Sequence, residues 1–303
     1  MNLSLGPLLY YWPRDDVFAF YEAATDWPVA RVHLGESVCS RRHLLRLPDW
    51  LALAETLAAA GKDVVLSTQA LIESESDLKV LRRIVGDGRF EVEANDWGAV
   101  RLLADAGARF VAGPTLNVYN PETLAVLADL GAARWLPPVE MSRAMLASLL
   151  ERAPTGIETE VFAYGRLPLA YSARCFTARH YNLPKDDCQF RCLDHPDGLT
   201  LSTREGEPFL TLNGIQTQSA GVYTLLAELP ALQELGVASL RLSPQSRHMA
   251  RVVEAFAAAL AGTPQAVDAL ARLMPGAPVD GYWHGQAGLE YGGLTAAHGE
   301  TRS

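Results

Sequence analysis

The feature of this 303-residue chain that could support chemistry is its set of four cysteines. Cys175, Cys188 and Cys192 lie close together in the sequence, whereas Cys39 lies far upstream. A tetrahedral zinc ion can bind four thiolates, and a four-iron, four-sulfur cluster takes one thiolate from the protein on each iron. We therefore predict that these four cysteines bind one metal centre.

Two other uses of the cysteines compete with a metal centre, and structural zinc competes with an iron–sulfur cluster. Free thiols are often buried as small apolar groups, but Cys188 and Cys192 lie in a polar stretch between Pro184 and Pro196. Disulfides need an oxidising compartment, and residues 1–16 hold only an apolar run too short for an export signal or a membrane span. Structural zinc is the strongest competitor, although its sites usually combine two close pairs and this chain has one.

Composition and charge narrow the function classes. The chain has 49% hydrophobic residues, enough for a sizeable core, and a formal net charge of -9. Proteins that bind DNA or RNA concentrate positive charge, so we expect no nucleic-acid partner. An anionic membrane surface is disfavoured for the same reason. We predict a cytoplasmic protein without a membrane span.

Short β-rich runs alternate with amphipathic helical patterns, which is typical of βα units around a parallel sheet. The predicted strands are 8–12, 29–34, 64–67, 90–94, 109–112, 134–136, 157–164 and 237–242. The predicted helices are 15–24, 49–60, one beginning after Ser74, 96–106, 121–130, 142–150 and 247–261. Eight units predict a TIM-type (β/α)8 barrel. An open doubly wound sheet is the alternative, because periodicity does not show closure.

The alternation stops between the seventh and eighth units. We predict one barrel-like domain over residues 1–303, with an insertion at 165–228 that carries three cysteines and a hairpin within 199–212. Loops that follow the carboxyl ends of barrel strands gather on one face. Cys39 follows the second strand and the other cysteines follow the seventh, so all four are expected on that face.

Acidic residues near two of the predicted strands are candidates for proton transfer. Glu91 and Glu93 belong to one strand, and Glu158 and Glu160 to another. An inward-facing Glu160 could donate or accept a proton, or could pair with Arg174 or a nearby lysine. His33 is interpreted as a hydrogen-bonded structural residue. The main nucleotide-binding, zinc-protease and serine-hydrolase motifs are missing from the sequence.

The segment 160–175 resembles the signature of the collagenase-like U-type peptidase family, in which a Glu-x-Phe strand is followed by a glycine and a cysteine-rich loop. Here Glu160, Phe162 and Gly165 match it. The resemblance also covers blocks 9–13, 34–40, 65–68, 167–179, 212–217, 241–245 and 281–283. The wider family has another cysteine shortly after the glycine, where this chain has Leu167 and Pro168. One type of member instead takes one of its cysteines from the loop after the second strand, and Cys39 lies at that position in this chain.

The resemblance implies a [4Fe-4S] cluster bound by all four cysteines. It further implies an enzyme subunit that pairs with a UbiU-type paralogue as a heterodimer and supports oxygen-independent hydroxylation of ubiquinone precursors, which a lipid-carrier protein presents. Glu36, Arg174 and Arg179 lie beside the cysteines in matching blocks and are candidate functional residues. Two alternatives remain open: a non-catalytic partner subunit with a structural cluster, and a peptidase.

Overall fold

The computed structural model describes residues 1–292. Strands and short helices alternate along most of this length. The strands are β1 (Asn2–Leu5), β2 (Arg31–Leu34), β3 (Asp63–Ser67), β4 (Glu91–Ala94), β5 (Phe110–Ala112), β6 (Ala132–Trp135), β7 (Glu158–Gly165), β8 (Pro168–Tyr171), β9 (Leu199–Ser202), β10 (Pro208–Asn213), β11 (Gln216–Ser219), β12 (Val222–Thr224), β13 (Ser239–Leu242) and β14 (Pro278–Val279).

The α-helices of residues 1–292 are α1 (Arg14–Ala24), α2 (Leu47–Ala59), α3 (Glu75–Asp87), α4 (Trp97–Asp105), α5 (Pro121–Asp129), α6 (Arg143–Leu150), α7 (Phe176–His180), α8 (Leu229–Glu234), α9 (Met249–Leu260) and α10 (Val267–Ala271). The seven predicted α-helices begin within a few residues of the expected positions, and three short helices, α7, α8 and α10, were not predicted. Several begin after a side chain that caps the first turn. Ser74, Asn120 and Ser142 each accept a hydrogen bond from a backbone N–H in that turn.

Eight parallel strands close into a barrel. The order is β1 to β7 and then β13, and β13 pairs in parallel with both β7 and β1. Register is continuous at the closure, where Leu3 lies opposite Leu240 and Leu5 opposite Leu242. The predicted (β/α)8 fold is therefore confirmed. The open-sheet alternative is wrong, because in an open sheet the first and last strands would not pair with each other as β1 and β13 do.

The segment between β7 and α8 forms a second, antiparallel sheet in the order β8, β11, β10, β9. The predicted hairpin is present, since β9 and β10 pair with Leu199 opposite Leu212. β12 then returns the chain to the barrel by pairing antiparallel with the end of β7. Since this segment leaves the barrel at Gly165, where β7 ends, it extends from the carboxyl-end face.

The prediction of the first strand at 8–12 is wrong. The strand is β1 (Asn2–Leu5), and residues 8–12 form an irregular but buried stretch after it. Its apolar side chains are buried in contact with the core, with Trp12 packed edge-on against Phe20. A run of buried apolar residues looks the same in sequence whether it belongs to a strand or to a covered loop.

Two predictions concern the whole chain, whereas the structure describes residues 1–292. The single-domain prediction included 293–303, which lie outside the described residues. Among the helices of residues 1–292, none combines the length and the apolar character needed to cross a bilayer.

Candidate metal centre

The four cysteines lie in loops at the carboxyl-end face of the barrel. Cys39 is in the loop between β2 and α2, and Cys175 is the residue that precedes α7. Cys188 ends a 3₁₀ turn at Lys185–Asp187, and Cys192 lies in a second one at Arg191–Asp194. None of the four forms a disulfide.

Cys39 and Cys175, which are far apart in the chain, lie in one apolar cluster. Cys39 is buried with Leu9, Val38 and Ile215, and the half-buried Cys175 packs against the same group. The Sγ of Cys175 also accepts a hydrogen bond from the Ala178 N–H at 3.4 Å. The loop after β2 and the segment after β8 thus bring their thiols together.

A buried arginine connects Cys192 to these two thiols. The guanidinium of Arg42 interacts with the thiols of Cys192 and Cys39, and Cys175 interacts with both of these cysteines. Burial raises the pKa of the Cys39 thiol to about 11 and also raises that of Cys192, while Arg42 acts in the opposite direction. Three thiols therefore share one buried electrostatic environment.

Arg42 is held by the β10–β11 turn and by the loop after β1. Its Nη1 donates to the carbonyl of Leu9 at 2.8 Å, and its Nη2 donates to Oδ1 of Asn213 at 2.7 Å. Gly214 has a φ of +65°, and a Cβ at this position would lie 3.1 Å from the Arg42 guanidinium. A glycine is needed both for the left-handed turn and for the close approach of Arg42.

Glu36 fixes the loop that carries Cys39. Its carboxylate accepts hydrogen bonds from the N–H groups of Val38 and Cys39 at 2.9 and 3.0 Å, and Arg42 lies 3.6 Å away. Burial raises the pKa of Glu36, while Arg42 and the two N–H donors oppose that shift. Of the three candidate residues beside the cysteines, Glu36 is the one that the structure places in contact with this group.

Cys188 lies one turn before Cys192. Its carbonyl accepts a hydrogen bond from the N–H of Arg191, which starts the turn that carries Cys192. Between the two cysteines, Gln189 and Phe190 both have left-handed backbones, at φ of 50° and 51°. Such a pair is strained in residues other than glycine, and strain of this kind concentrates at functional sites. Within residues 1–292 Cys188 forms no disulfide and does not belong to the apolar cluster of Cys39 and Cys175.

A single metal ion and a cluster would place the four sulfurs at different spacings. Zinc–sulfur bonds of about 2.3 Å hold four sulfurs roughly 4 Å apart. No group of three or more His, Cys, Asp or Glu side chains within residues 1–292 is arranged to hold a metal ion. In a four-iron cluster each thiolate binds a different iron, so the sulfurs surround a larger body. In this structure Cys39, Cys175 and Cys192 share the surroundings of Arg42, and Cys188 precedes Cys192 by four positions.

Arg174 and Arg179 lie at the surface. Both are exposed, and their guanidinium groups have no hydrogen bond or ion pair within the described part of the chain. Asp186, an acidic residue close to these arginines in the sequence, forms an ion pair with Arg41 at 3.0 Å. Arg41 and Arg42 thus have different environments, since one lies at the surface and the other is buried beside the thiols.

A second group of charges fills the barrel interior. Arg241 on β13 donates from Nε to Oε1 of Glu160 at 2.8 Å, and its Nη2 lies 2.5 Å from Oε2 of Glu93. His33 lies 3.0 Å from Glu93 and 3.6 Å from Glu160. The expectation that Glu160 pairs with Arg174 or a lysine is wrong, because Arg174 is outside the barrel. The structural role expected for His33 agrees with these contacts.

The sequence matches the family described as Peptidase family U32 over residues 17–271. The chain belongs to this family. Solved structures with similar folds include a U32 peptidase, with 12% identity and a TM-score of 0.46 over 81% of this chain and 93% of that one. A dihydropteroate synthase from Thermus thermophilus has 16% identity and a TM-score of 0.42 over 86% of this chain and 94% of that one.

Arg42 is the residue of this U32 protein that sequence reasoning missed. The signal in the sequence was small: a basic residue three positions after Cys39, next to a second arginine. Long arginines near cysteines are usually solvated, and the burial of this one depends on Leu9 and Asn213, which are remote in sequence. The block at 212–217 that resembles the family contains Asn213, which accepts a hydrogen bond from Arg42. Nothing in that block predicts that its partner is an arginine.

The charges in the barrel of this U32 protein predict a pH dependence of stability. Burial alone would raise the pKa of Glu93 and Glu160, but Arg241 and His33 outweigh it and hold both below the ordinary value of 4.5. A carboxyl with a lower pKa in the folded state stabilises the fold above its unfolded-state pKa and loses that contribution as the pH falls. We expect the melting temperature to drop steeply below a pH of about 4.5.

This dependence is measured by thermal unfolding between pH 3 and 7. Glu160→Gln should melt at a lower temperature than the wild type at neutral pH and show a flatter decline in acid. Glu254→Gln, on the exposed side of α9, is the matched control and should follow the wild type. If the melting temperatures of the wild type and Glu160→Gln fall equally with decreasing pH, the pH dependence does not come from this buried carboxylate.

Proposed function

We propose that this U32 chain is a UbiV-type protein: an iron–sulfur subunit that acts with a UbiU-type paralogue in oxygen-independent hydroxylation of ubiquinone precursors. In this proposal Cys39, Cys175, Cys188 and Cys192 bind a [4Fe-4S] cluster, a lipid-carrier protein presents the precursor, and the pair works in the cytoplasm. The observation that carries the proposal is the gathering of thiols from both halves of the chain around Arg42.

The residues around the thiols suit a bound cluster. When bound, the cluster would supply one-electron redox chemistry for a hydroxylation that draws its oxygen from a donor other than O₂. Thiols must lose their protons to bind iron, so loading should release protons from Cys39 and Cys192, whose pKa values are raised by burial. The positive charge of Arg42 compensates part of the negative charge of the thiolates, and Glu36 holds the Cys39 loop in place.

A structural cluster is the second candidate, and one observation favours it. The 3₁₀ turns that carry Cys188 and Cys192 contain no buried residue, so apolar packing contributes little to their folding. Metal–thiolate bonds can supply such free energy directly. In this version the cluster shapes the surface that docks on the paralogue and does not transfer electrons.

Peptide hydrolysis, which the family description suggests, is the weakest candidate. It would require an activated nucleophile or a metal-bound water at an open coordination position. With all four cysteines assigned as cluster ligands, none of them is available as a nucleophile. We therefore do not assign this activity to the chain.

The test is anaerobic purification of the full chain, alone and co-expressed with the paralogue, followed by metal and sulfide analysis. We expect about four iron and four sulfide per chain. A stoichiometric zinc ion in place of iron would overturn the proposal. Redox titration of the iron-loaded protein distinguishes a redox-active cluster from a structural one, because a structural cluster would not be reduced at physiological potentials.

Two adjacent arginines offer a matched test of the cluster environment. Arg42→Gln removes a buried positive charge beside the thiols, and Arg41→Gln removes a surface charge bound to Asp186. A nearby cation stabilises the more negative, reduced state, so we expect Arg42→Gln to lower the midpoint potential and Arg41→Gln to leave it nearly unchanged. Potentiometry followed by electron paramagnetic resonance measures both. Equal potentials in the two variants would remove Arg42 from this role.

A further inference from the structure

The surface that carries the cysteines is basic, although the chain as a whole is acidic. Residues 39–46 and 172–195 form this surface, which we call the basic face. Together they contain seven lysine and arginine residues, three aspartates and no glutamate. The formal net charge of the chain is -9. The basic face therefore carries an excess of positive charge that the rest of the chain does not.

Contacts between the two segments make the basic face continuous. Arg41, from the loop after β2, forms an ion pair with Asp186 at 3.0 Å. The ring of Tyr11 lies 5.9 Å from the ring of Phe190, and the Tyr11 hydroxyl accepts a hydrogen bond from the Leu44 N–H at 3.3 Å. The loop that carries Cys39 and the turns that carry the later cysteines therefore present one surface.

Two arginines of the basic face have no partner. Arg174 directly precedes Cys175, and the N–H of Arg179 donates to the Cys175 carbonyl at 3.1 Å, so both lie within one helical turn of that cysteine. Both side chains are exposed, and neither guanidinium group forms an ion pair or a hydrogen bond within residues 1–292. Two guanidinium groups are thus available to carboxylates from outside the chain.

The aspartates of the basic face do not neutralise these two arginines. Asp186 is paired with Arg41 at 3.0 Å. Asp194 is paired with Arg191 at 3.2 Å. Asp187 is exposed and forms no ion pair within the described part of the chain. One free carboxylate is left against two free guanidinium groups, so the face keeps a positive excess after its internal pairs are formed.

Large apolar side chains are exposed on the same face. Leu44, Phe176 and Phe190 are 38%, 36% and 36% exposed. Phe190 lies between two of the cysteines in the sequence, and Phe176 directly follows a third. Aromatic residues and arginine are enriched in protein interfaces, and lysine is depleted there. The combination of exposed aromatic rings and free arginines indicates a protein-binding surface of small apolar area.

The burial of the thiols indicates what kind of protein this surface suits. Cys39 is buried, whereas Cys175, Cys188 and Cys192 are half-buried within the basic face. A protein seated on the face would therefore lie next to three of the four proposed cluster ligands. Electron-transfer complexes bury little surface and are steered by opposite charges, whereas permanent subunit interfaces are larger and more apolar. The small apolar area and the free cations match the first kind.

We propose that the basic face docks a small acidic one-electron carrier of the ferredoxin or flavodoxin class. Carboxylates of the carrier bind Arg174 and Arg179, and its apolar centre packs on Phe176 and Phe190. Resting on the redox version of the proposed function, this assigns the source of electrons. The carrier is oxidised by one electron and the cluster is reduced by one, with no proton or atom transferred.

The test is a titration of the anaerobically purified full-length chain with an acidic plant-type [2Fe-2S] ferredoxin and with a flavodoxin, followed by calorimetry. Arg174→Glu/Arg179→Glu should bind ferredoxin at least about tenfold more weakly than the wild type at low salt, and high salt should reduce this difference. The matched control is Arg83→Glu/Arg109→Glu, which changes the net charge equally. Both control residues are exposed, one in the second half of α3 and one directly before β5, near the opposite end of the barrel. This variant should bind nearly like the wild type.

Equal ferredoxin affinities for the two double variants, or a wild type that binds neither carrier, would overturn the proposal. If the co-expressed paralogue blocks ferredoxin binding, the face belongs to the subunit interface and the proposal also fails. Binding to phosphatidylglycerol vesicles in place of ferredoxin would assign the face to a membrane surface instead.

Iron content and anaerobic quinone synthesis separate this proposal from the proposed function. If the chain carries iron and supports quinone synthesis but binds neither carrier, the docking assignment fails and the proposed function stands. If the chain carries no iron, the proposed function fails, and the ferredoxin affinities of the two double variants still decide the docking site.

Discussion

Replacing Cys188 by alanine is expected to abolish both the bound iron and the ubiquinone that cells make without oxygen. A four-iron cluster needs a thiolate on each iron, and this chain has no fifth cysteine to substitute for a lost one. The turn at 185–194 has no buried residue, so loss of the metal–thiolate bond should also leave this turn poorly ordered. Cys39→Ala, Cys175→Ala and Cys192→Ala should give the same result.

Iron and sulfide analysis of the purified variants, together with quinone extraction from anaerobic cultures, measures the effect. Ser202→Ala on β9 is the control, since it changes an exposed hydroxyl in the same inserted segment. It should keep iron and activity at wild-type levels. Retention of full iron and normal quinone in Cys188→Ala would remove that residue from the ligand set and with it the four-cysteine cluster.

The second large effect is expected from Arg241→Met. This change leaves Glu93 and Glu160 buried without the guanidinium that both contact, at 2.5 and 2.8 Å. Removing one partner of a buried ion pair typically costs about 3–5 kcal/mol, because the remaining charge is uncompensated. We expect the free energy of unfolding, measured by urea denaturation at neutral pH, to fall by about this amount.

Arg101→Met is the matched control. Arg101 forms an exposed pair with Asp105 on α4, and its loss should leave the urea midpoint unchanged. Adding Glu160→Gln to Arg241→Met removes one of the uncompensated carboxylates and should recover part of the lost stability. If the double variant is no more stable than Arg241→Met, the ion pair is not the source of the loss.

The sequence alone determined the features that depend on residue type and local spacing. The alternation of apolar periods predicted eight strands and their helices, because 3.6-residue and two-residue patterns are set by which face of each element is buried. The cysteines could be proposed as cluster ligands without a structure, since few side chains other than thiolates bind iron–sulfur clusters. Matching blocks along the chain indicated the family.

Only the tertiary structure decided which residues surround the thiols and which surround the barrel carboxylates. The burial of Arg42 depends on Leu9 and Asn213, and the partner of Glu160 is Arg241, which is 81 positions away. The barrel is closed by the pairing of β1 with β13. The loop at 8–12 resembles a strand because it is buried, and its burial comes from the elements that cover it. These contacts join residues that are distant in sequence, and no local pattern records which of them meet.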